Sequence, residues 1–369
     1  MKLRIHRALL VQVLQKLQGI AEKKSSMPIL ANALIQASSE GKLAFSATDL
    51  ELSYRTQVEA EIEQGGGTTV SARKLLEIVK EISIDTLLLE TLPNNRLSIR
   101  AGRSYFELST IPVEDFPYLV FYENAQFFPF ENQDLKECLA KTHYVIPAEE
   151  DPFSIAGLYW HGTSDQTYRF VASDGHRLAF VESTSNRFAG IPIGEGIIIP
   201  RKGVHEMLRL LDVNPTFELA IHENCLIMKT TDSILAIRLL EDEFPEYQQI
   251  IPEERPIAIH MDRQALLQAL RRIATLTSQK YRHVRLTAKP RVLLLESGNP
   301  EEGDASDEID VDFDGPEFGA AFNIRYLVDA IECMHSRTIR FEWVDNNHGG
   351  IVSGDEDPGY VALIMPMIL

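Results

Sequence analysis

Three stretches of this chain repeat one order of signals, at a spacing of about 123 to 129 residues. Each has a Gly-rich turn, a short apolar strand and an amphipathic helix whose first turn carries an arginine. The copies are Gly65-Gly66-Gly67-Thr68-Thr69-Val70-Ser71-Ala72-Arg73-Lys74, Gly194-Glu195-Gly196-Ile197-Ile198-Ile199-Pro200-Arg201-Lys202 and Gly319-Ala320-Ala321-Phe322-Asn323-Ile324-Arg325-Tyr326. A chain of 369 residues has room for two or three domains, and the repeat argues for three, at 1–126, 127–252 and 253–369. Three tandem copies of one module point to a quasi-symmetric scaffold, because a conventional active site needs only one.

Within each copy a second amphipathic helix precedes the first. Leu10, Val13, Leu14 and Leu17 fall at helical spacing, as do Leu135, Cys138 and Leu139, and Leu266, Ala269, Leu270 and Ile273. Ser71 and Asn323 can accept from free backbone N–H groups at a helix start, and Pro200 suits a first helical turn. Thr86–Glu90, Phe217–Ile221 and Ile339–Trp343 read as strands, with Asn-containing turns after them at Asn94-Asn95, Asn224 and Asn346-Asn347. Each copy is therefore an α+β module of two helices and roughly eight short strands. Ala47-Thr48-Asp49-Leu50-Glu51 recurs as Ala172-Ser173-Asp174-Gly175-His176, and Glu296-Ser297-Gly298-Asn299-Pro300 holds the same offset in the third copy. Asp115-Phe116-Pro117-Tyr118 and Glu243-Phe244-Pro245-Glu246-Tyr247 mark the ends of the first two.

The net charge of −18 would argue against nucleic acid if charge were spread evenly. Binding follows local potential, however, and the charge is segregated. The first third carries 14 basic and 15 acidic residues, the last 12 and 20. The acidic excess gathers in Glu301, Glu302, Asp304, Asp307, Glu308, Asp310, Asp312, Asp314 and Glu317, a run that could equally be a solvated outer strand. Single cations on helices are usually solvated surface. Recurrence of Arg73, Arg201 and Arg325 at one module position is what raises them to candidates for tracking phosphates without reading bases.

Conventional chemistry finds little support. Gly65-Gly66-Gly67 lacks a following Gly-Lys-Ser/Thr and precedes a strand, and no His-Glu-x-x-His occurs. Cys138, Cys225 and Cys333 lack zinc or redox spacing, so neither metal nor cofactor is expected in what reads as a reduced cytoplasmic protein. No apolar run is long enough for a transmembrane helix, and Met1–His6 lacks a signal peptide's apolar stretch. Ser173-Asp174-Gly175-His176-Arg177 gathers nucleophile, acid and base types, but sequence neighbours seldom converge as a triad and Asp-Gly favours a tight turn. The run Val361–Leu369 stays apolar to the last residue. It is either a buried final strand or an exposed groove lined by adaptable Met side chains.

Taken in order, Pro28-Ile29-Leu30, Ala47-Thr48-Asp49-Leu50-Glu51, Ala72-Arg73-Lys74, Asp174-Gly175-His176-Arg177-Leu178, Pro200-Arg201-Lys202-Gly203, Phe244-Pro245-Glu246-Tyr247 and Met365-Pro366-Met367 resemble the bacterial DNA polymerase III beta subunit family, the replicative sliding clamps. The resemblance runs from Met1 to Leu369. It implies a non-catalytic processivity factor: a head-to-tail homodimer closing a six-domain ring, helices inside and sheets outside, around duplex DNA held without sequence preference. Polymerase and exonuclease activities would belong to the holoenzyme, in a cytoplasmic, nucleoid-associated setting.

Residue by residue, the resemblance implies three sites. A partner-peptide pocket would use Ile155, Ser173, Gly175, His176, Arg177, Leu178, Pro245, Ile250, Leu363, Met365, Pro366, Met367 and Leu369. It would take short apolar motifs from the polymerase alpha subunit, the clamp-loader delta subunit, translesion polymerases and repair proteins. DNA would be faced by Lys24, Arg73, Arg201 and Lys202. At the dimer seam, Lys74, Arg103, Phe106 and Leu108 would meet Thr275, Leu276, Glu301, Glu302 and Asp304 of a second chain. Two departures from the family pattern stand out: the acidic loop Ala148-Glu149-Glu150-Asp151, and Ile368 at a position that is often basic. The competing readings are a hydrolase built on Asp174 and His176, and a monomeric peptide-binding scaffold without a DNA role.

Overall fold

The computed structural model describes residues 1–21, 26–122, 124–148, 154–164, 167–184, 188, 190–278, 280–345 and 347–368. Among them lie six α-helices: α1 (Arg7–Ile20), α2 (Ala72–Glu81), α3 (Asn132–Ala140), α4 (Arg201–Val213), α5 (Arg263–Ala274) and α6 (Ile324–Glu332). Over the three repeats the strands number nine, eight and eight. This is the α+β module expected from the sequence, built three times.

Local chemistry sets the helices. The predicted stripes are buried: Leu10, Val13, Leu14 and Leu17 on α1, Leu135, Cys138 and Leu139 on α3, and Leu266, Ala269, Leu270 and Ile273 on α5. Ser71 Oγ accepts from the Lys74 N–H at 3.3 Å and Asn323 Oδ1 from the Arg325 N–H at 3.1 Å, satisfying amides that the helix leaves unpaired. Asp262 caps α5 in the same way, accepting from Ala265 N–H at 2.8 Å. Pro200 departs from expectation. It ends the strand Ile197–Pro200 and stands just before α4, where Ser71 and Asn323 stand before α2 and α6. Counted from that strand-to-helix corner, Lys202 and not Arg201 shares the second helical position with Arg73 and Arg325.

The chain forms two compact units, Met1–Asn132 with Arg209–Leu239, and Gln133–Leu208 with Leu240–Leu369. The first holds one 13-stranded antiparallel sheet, in the order Phe128–Glu131, Thr216–His222, Cys225–Lys229, Ser233–Arg238, Leu52–Glu59, Lys42–Thr48, Asn32–Ala37, Gly66–Ser71, Ser104–Ile111, Arg96–Ala101, Thr86–Leu92, Lys2–His6 and Glu61–Gln64. The second holds an eight-stranded sheet (Ile197–Pro200, Gly157–Ser164, Thr167–Ser173, Arg177–Ser183, Tyr360–Ile364, Gly350–Gly354, Thr338–Trp343, Ile257–Asp262) and a four-stranded one (Gly303–Asp310, Val292–Asn299, His283–Lys289, Phe318–Asn323).

In both units the last strand of one repeat joins the edge of the repeat before it. Ser233–Arg238 pairs with Leu52–Glu59, Ser233 opposite Thr56 and Ile237 opposite Leu52. Tyr360–Ile364 pairs with Arg177–Ser183, Arg177 opposite Ile364 and Val181 opposite Tyr360. Among the described residues, the strand in the third copy that corresponds to these acceptors, Gly303–Asp310, is paired on one side only, to Val292–Asn299. The last strand of the first copy, Ser104–Ile111, is likewise open from Ser104 to Ser109, and reaches Gly66–Ser71 only through Thr110 and Ile111.

A buried polar centre fastens α3 to the end of the chain. The Lys141 side chain is almost wholly enclosed, with its ammonium 2.8 Å from Asp357 and also bonded to Glu137. Asp357 accepts from the backbone N–H groups of His335 (3.0 Å) and Ser336 (2.8 Å) and from Ser336 Oγ (2.6 Å). Burial alone would raise this carboxyl, but the bonds from Lys141, Ser336 and the two amides outweigh it and hold the pKa at about 2. A depressed carboxylate stabilises the fold above its unfolded pKa and loses that contribution as pH falls toward the folded value. Asp357→Asn should therefore lower unfolding free energy by about 2 kcal/mol at neutral pH. The deficit should shrink between about pH 4 and pH 2, as read by denaturant titration. A deficit constant across that window would exclude this account.

Candidate functional site

The segment Ser173–Arg177 is a hairpin turn made by its own side chains. Asp174 Oδ1 accepts from the N–H groups of His176 (3.0 Å) and Arg177 (2.9 Å), Ser173 Oγ donates to the Arg177 carbonyl at 3.1 Å, and Gly175 has φ +80°. The first copy builds the same turn: Asp49 Oδ1 accepts from Glu51 (3.0 Å) and Leu52 (2.7 Å), Thr48 Oγ1 donates to the Leu52 carbonyl at 2.7 Å, and Leu50 has φ +79°. In the third, Asn299 Oδ1 accepts from Glu301 N–H at 3.0 Å. Acid and hydroxyl types recur because the turn needs acceptors. Asp174 is thus committed to amides and to Arg177, and does not orient the exposed His176 imidazole. The hydrolase reading fails on that geometry.

The chain end lies against this turn. Past Ile364, the Met365 N–H donates to the His176 carbonyl at 2.9 Å and the Met367 N–H to the Ala321 carbonyl at 2.7 Å. Leu178 and Leu363 are buried in one cluster with Val171, Phe180, Tyr247 and Ile351, against which Met365, Tyr159, Phe244, Ile251 and Val361 pack half-buried. The buried-strand reading of the apolar tail therefore holds for its first part. Ala362–Ile364 is buried strand, whereas Met365 and Pro366 are half-buried and Met367 and Ile368 exposed. Pro245 and Ile250 are exposed on either side of buried Tyr247, and Ile155 is half-buried just before the strand carrying Tyr159. Leu369 and residues 149–151 lie outside the described residues.

Arg177 is fixed rather than free. Its side chain is one-tenth exposed, with Nε 3.0 Å from Asp174, Nη1 2.7 Å from Asp329 of α6 and Nη2 3.0 Å from the Tyr144 carbonyl. The guanidinium lies 4.1 Å from the centre of the Tyr326 ring. Sequence reasoning missed an aromatic layer beside the cluster. Tyr159 stacks on Phe244 (5.0 Å) and on His161 (4.5 Å), His161 Nε2 is 2.9 Å from the Tyr247 hydroxyl, and Arg169 Nη1 donates to that hydroxyl at 3.0 Å. Burial pushes His161 below its ordinary value and keeps the ring neutral at pH 7. Phe244-Pro245-Glu246-Tyr247 was the one available signal, and as a mark of a repeat's end it hid this role.

The candidate phosphate-facing cations sit on first helical turns. Arg73 and Arg325 are exposed, Arg201 and Lys202 half-buried, and Lys24 lies outside the described residues. Arg73 and Lys74 share Glu77, each at 2.8 Å, which pulls that carboxyl below its usual range. Of the candidate seam residues, Arg103 and Phe106 are exposed and Leu108 is half-buried, on or beside the open strand Ser104–Ile111. Thr275 ends α5, and the Leu276 carbonyl accepts from Asn299 Nδ2 at 3.1 Å. Glu301, Glu302 and Asp304 are exposed beside the open strand Gly303–Asp310.

Comparison with known proteins agrees with this architecture. Residues 1–120, 130–246 and 248–368 match the N-terminal, central and C-terminal domains of the DNA polymerase III beta subunit. The beta sliding clamp of Caulobacter vibrioides is 33% identical over 374 residues, and that of Escherichia coli K12 29% over 377, each covering all of both chains. Among solved structures, Caulobacter crescentus pol III beta superposes with a TM-score of 0.89 at 32% identity. A Bartonella birtlesii sliding clamp bound to griselimycin gives 0.92 at 28%, and each structure covers the whole of both chains. The chain belongs to the DNA polymerase III beta subunit family, the beta sliding clamps, processivity factors and not enzymes.

The turn's geometry makes a local prediction. Asp174→Ala removes the carboxylate oxygen that accepts from two backbone amides, at a cost of about 1 kcal/mol. Amide exchange at His176, Arg177 and Met365 should then speed up about fivefold in a chain that still folds. Unchanged exchange at Met365 would show that the turn does not hold the chain end.

Proposed function

We propose that this protein is a DNA-encircling clamp made of two head-to-tail copies, three modules each with boundaries near 126 and 252, closing a six-domain ring. The observation that carries the reading is the repeated edge pairing. Copy two adds its last strand to copy one, and copy three adds its last strand to copy two, while among the described residues Gly303–Asp310 and Ser104–Ser109 each keep one side open. A second chain that repeats the same join satisfies both edges, and a heterologous contact whose rotation closes makes a ring.

The repeat also names the seam's contacts. Glu302 occupies the turn position held by Arg177 in copy two, and Lys74 the helix position held by Tyr326 in copy three, a pair that touch at 4.1 Å. Lys74 of one chain would accordingly meet Glu302 of the next. Arg103, Phe106 and Leu108 would flank that contact on one side, with Thr275, Leu276, Glu301 and Asp304 on the other. Arg73, Arg201, Lys202 and Lys24 would touch phosphates loosely and without base contacts. Most of the chain's negative charge would face away from the DNA.

On circular DNA such a ring should stay after loading and leave promptly once the circle is cut. Equal loss from circular and linear DNA would rule the ring out. Lys74→Glu should shift sedimentation toward monomer and shorten retention on circles, with Glu302→Lys in the same chain restoring both. A monomer at micromolar concentration in the unaltered protein would favour the monomeric scaffold.

The same reading gives the apolar cluster its partner. Ile155, Ser173, Gly175, His176, Arg177, Leu178, Pro245, Ile250, Leu363, Met365, Pro366, Met367 and Leu369 would form a groove for short apolar peptides. Those peptides would come from the polymerase alpha subunit, the clamp-loader delta subunit, translesion polymerases and repair proteins, in the cytoplasm on nucleoid DNA. The half-buried rim of Met365 and Tyr159 around a buried floor supports it, since Met adapts to varied ligands. Met365→Ala with Met367→Ala should weaken a polymerase-derived apolar peptide by roughly tenfold or more in fluorescence anisotropy, with dimer mass intact. Undiminished affinity would refute the groove.

A further inference from the structure

Resting on that groove reading, we infer that Asp329 on α6 is a positioning residue for partner binding, acting through Arg177 without touching the peptide. The argument comes from comparing equivalent positions in the three copies. Counted from the strand-to-helix corner, Asp329 corresponds to Glu77 in α2 and Glu206 in α4, so an acid stands there every time. Counted from the turn's acceptor, Arg177 corresponds to Leu52 and Glu302. Only in the second copy does the turn carry a cation at this position, and there the α6 carboxylate reaches it at 2.7 Å. Glu77 instead holds Arg73 and Lys74 of its own helix.

The turn does not need the guanidinium to form, because the first copy makes the same hydrogen bonds with fully buried Leu52 in that place. Arg177 is therefore an addition confined to the one turn that carries the groove. Its Nε bonds Asp174, the residue that shapes the turn, while Asp329, Tyr326 and the Tyr144 carbonyl fix its far end. A planar fork held at three points transmits position, which a single flexible ammonium would not. What it positions is Gly175 and His176, whose carbonyl receives the Met365 N–H. Asp329 thus sets where the turn stands relative to the Met365–Met367 rim.

The test uses the full-length protein and a fluorescent apolar peptide from the polymerase alpha subunit. Asp329→Asn keeps the size but loses the charge, and should weaken the peptide about tenfold while melting temperature, dimer mass and retention on circular DNA hold. Asp329→Glu should regain most of that loss, and Arg177→Lys should reproduce it. Wild-type affinity in Asp329→Asn, alongside lost affinity in the Met365→Ala, Met367→Ala variant, would overturn the inference and leave the groove standing. A loss that merely tracks melting temperature across the Asn and Glu variants would overturn it too. Wild-type affinity in the Met double variant would instead bring down the groove reading itself.

Discussion

Antiparallel pairing between the last strand of one repeat and the acceptor strand of the repeat before it is the contact on which the rest of this structure depends. It fixes register to the residue, Ile237 opposite Leu52 in one unit and Ile364 opposite Arg177 in the other. A slip of one residue would exchange the faces taken by Leu363 and by its neighbours Ala362 and Ile364. The pairing also disposes of edges, the standing hazard of any sheet. Two of the strand edges left open carry opposite chemistry: Arg103 stands just before Ser104–Ile111, and Glu301, Glu302 and Asp304 stand at the start of Gly303–Asp310. Like charges along one edge discourage it from pairing with a copy of itself.

Two largely enclosed ionic clusters sit beside the strand pairing in the second unit. Lys141 with Asp357, and Arg177 with Asp174 and Asp329, take charged groups out of water, which is costly unless every hydrogen bond is met. Here the bonds are largely met: Asp357 has Lys141, a hydroxyl and two backbone amides, and the guanidinium has three acceptors and an aromatic face. Such pins add less to stability than apolar packing of equal volume, but they tolerate little displacement. That suits a turn whose His176 carbonyl receives the Met365 N–H.

Much of this was legible in the residues, and the limits of legibility have physical causes. Helix stripes and the caps Ser71 and Asn323 depend on neighbours within one turn, so local spacing reveals them. The strand-to-helix corner at Pro200 was misjudged by one residue, because proline fits both the end of an edge strand and the start of a helix. That single residue moved the repeated cation from Arg201 to Lys202. Contacts between residues far apart in sequence left no local trace. Arg177 and Asp329 are separated by 152 positions, and Tyr247 and Arg169 by 78. The apolar tail looked ambiguous because its halves differ: Leu363 belongs to the core and Met367 to the surface.

Repetition explains the scaffold, and departures from repetition locate the function. The turn is built alike in the first two copies and keeps one of its acceptor bonds in the third, and it is followed once by Leu52, once by Arg177 and once by Glu302. Apolar, cationic and anionic side chains at one position give three different joints from one backbone plan. The buried leucine makes a closed joint between the first two copies. The glutamate is exposed to solvent at the tip of its turn. The arginine, pinned from α6, makes a joint that is held together on one side and open on the other. One substitution per copy at a shared position is therefore enough to give a single backbone plan three different chemistries.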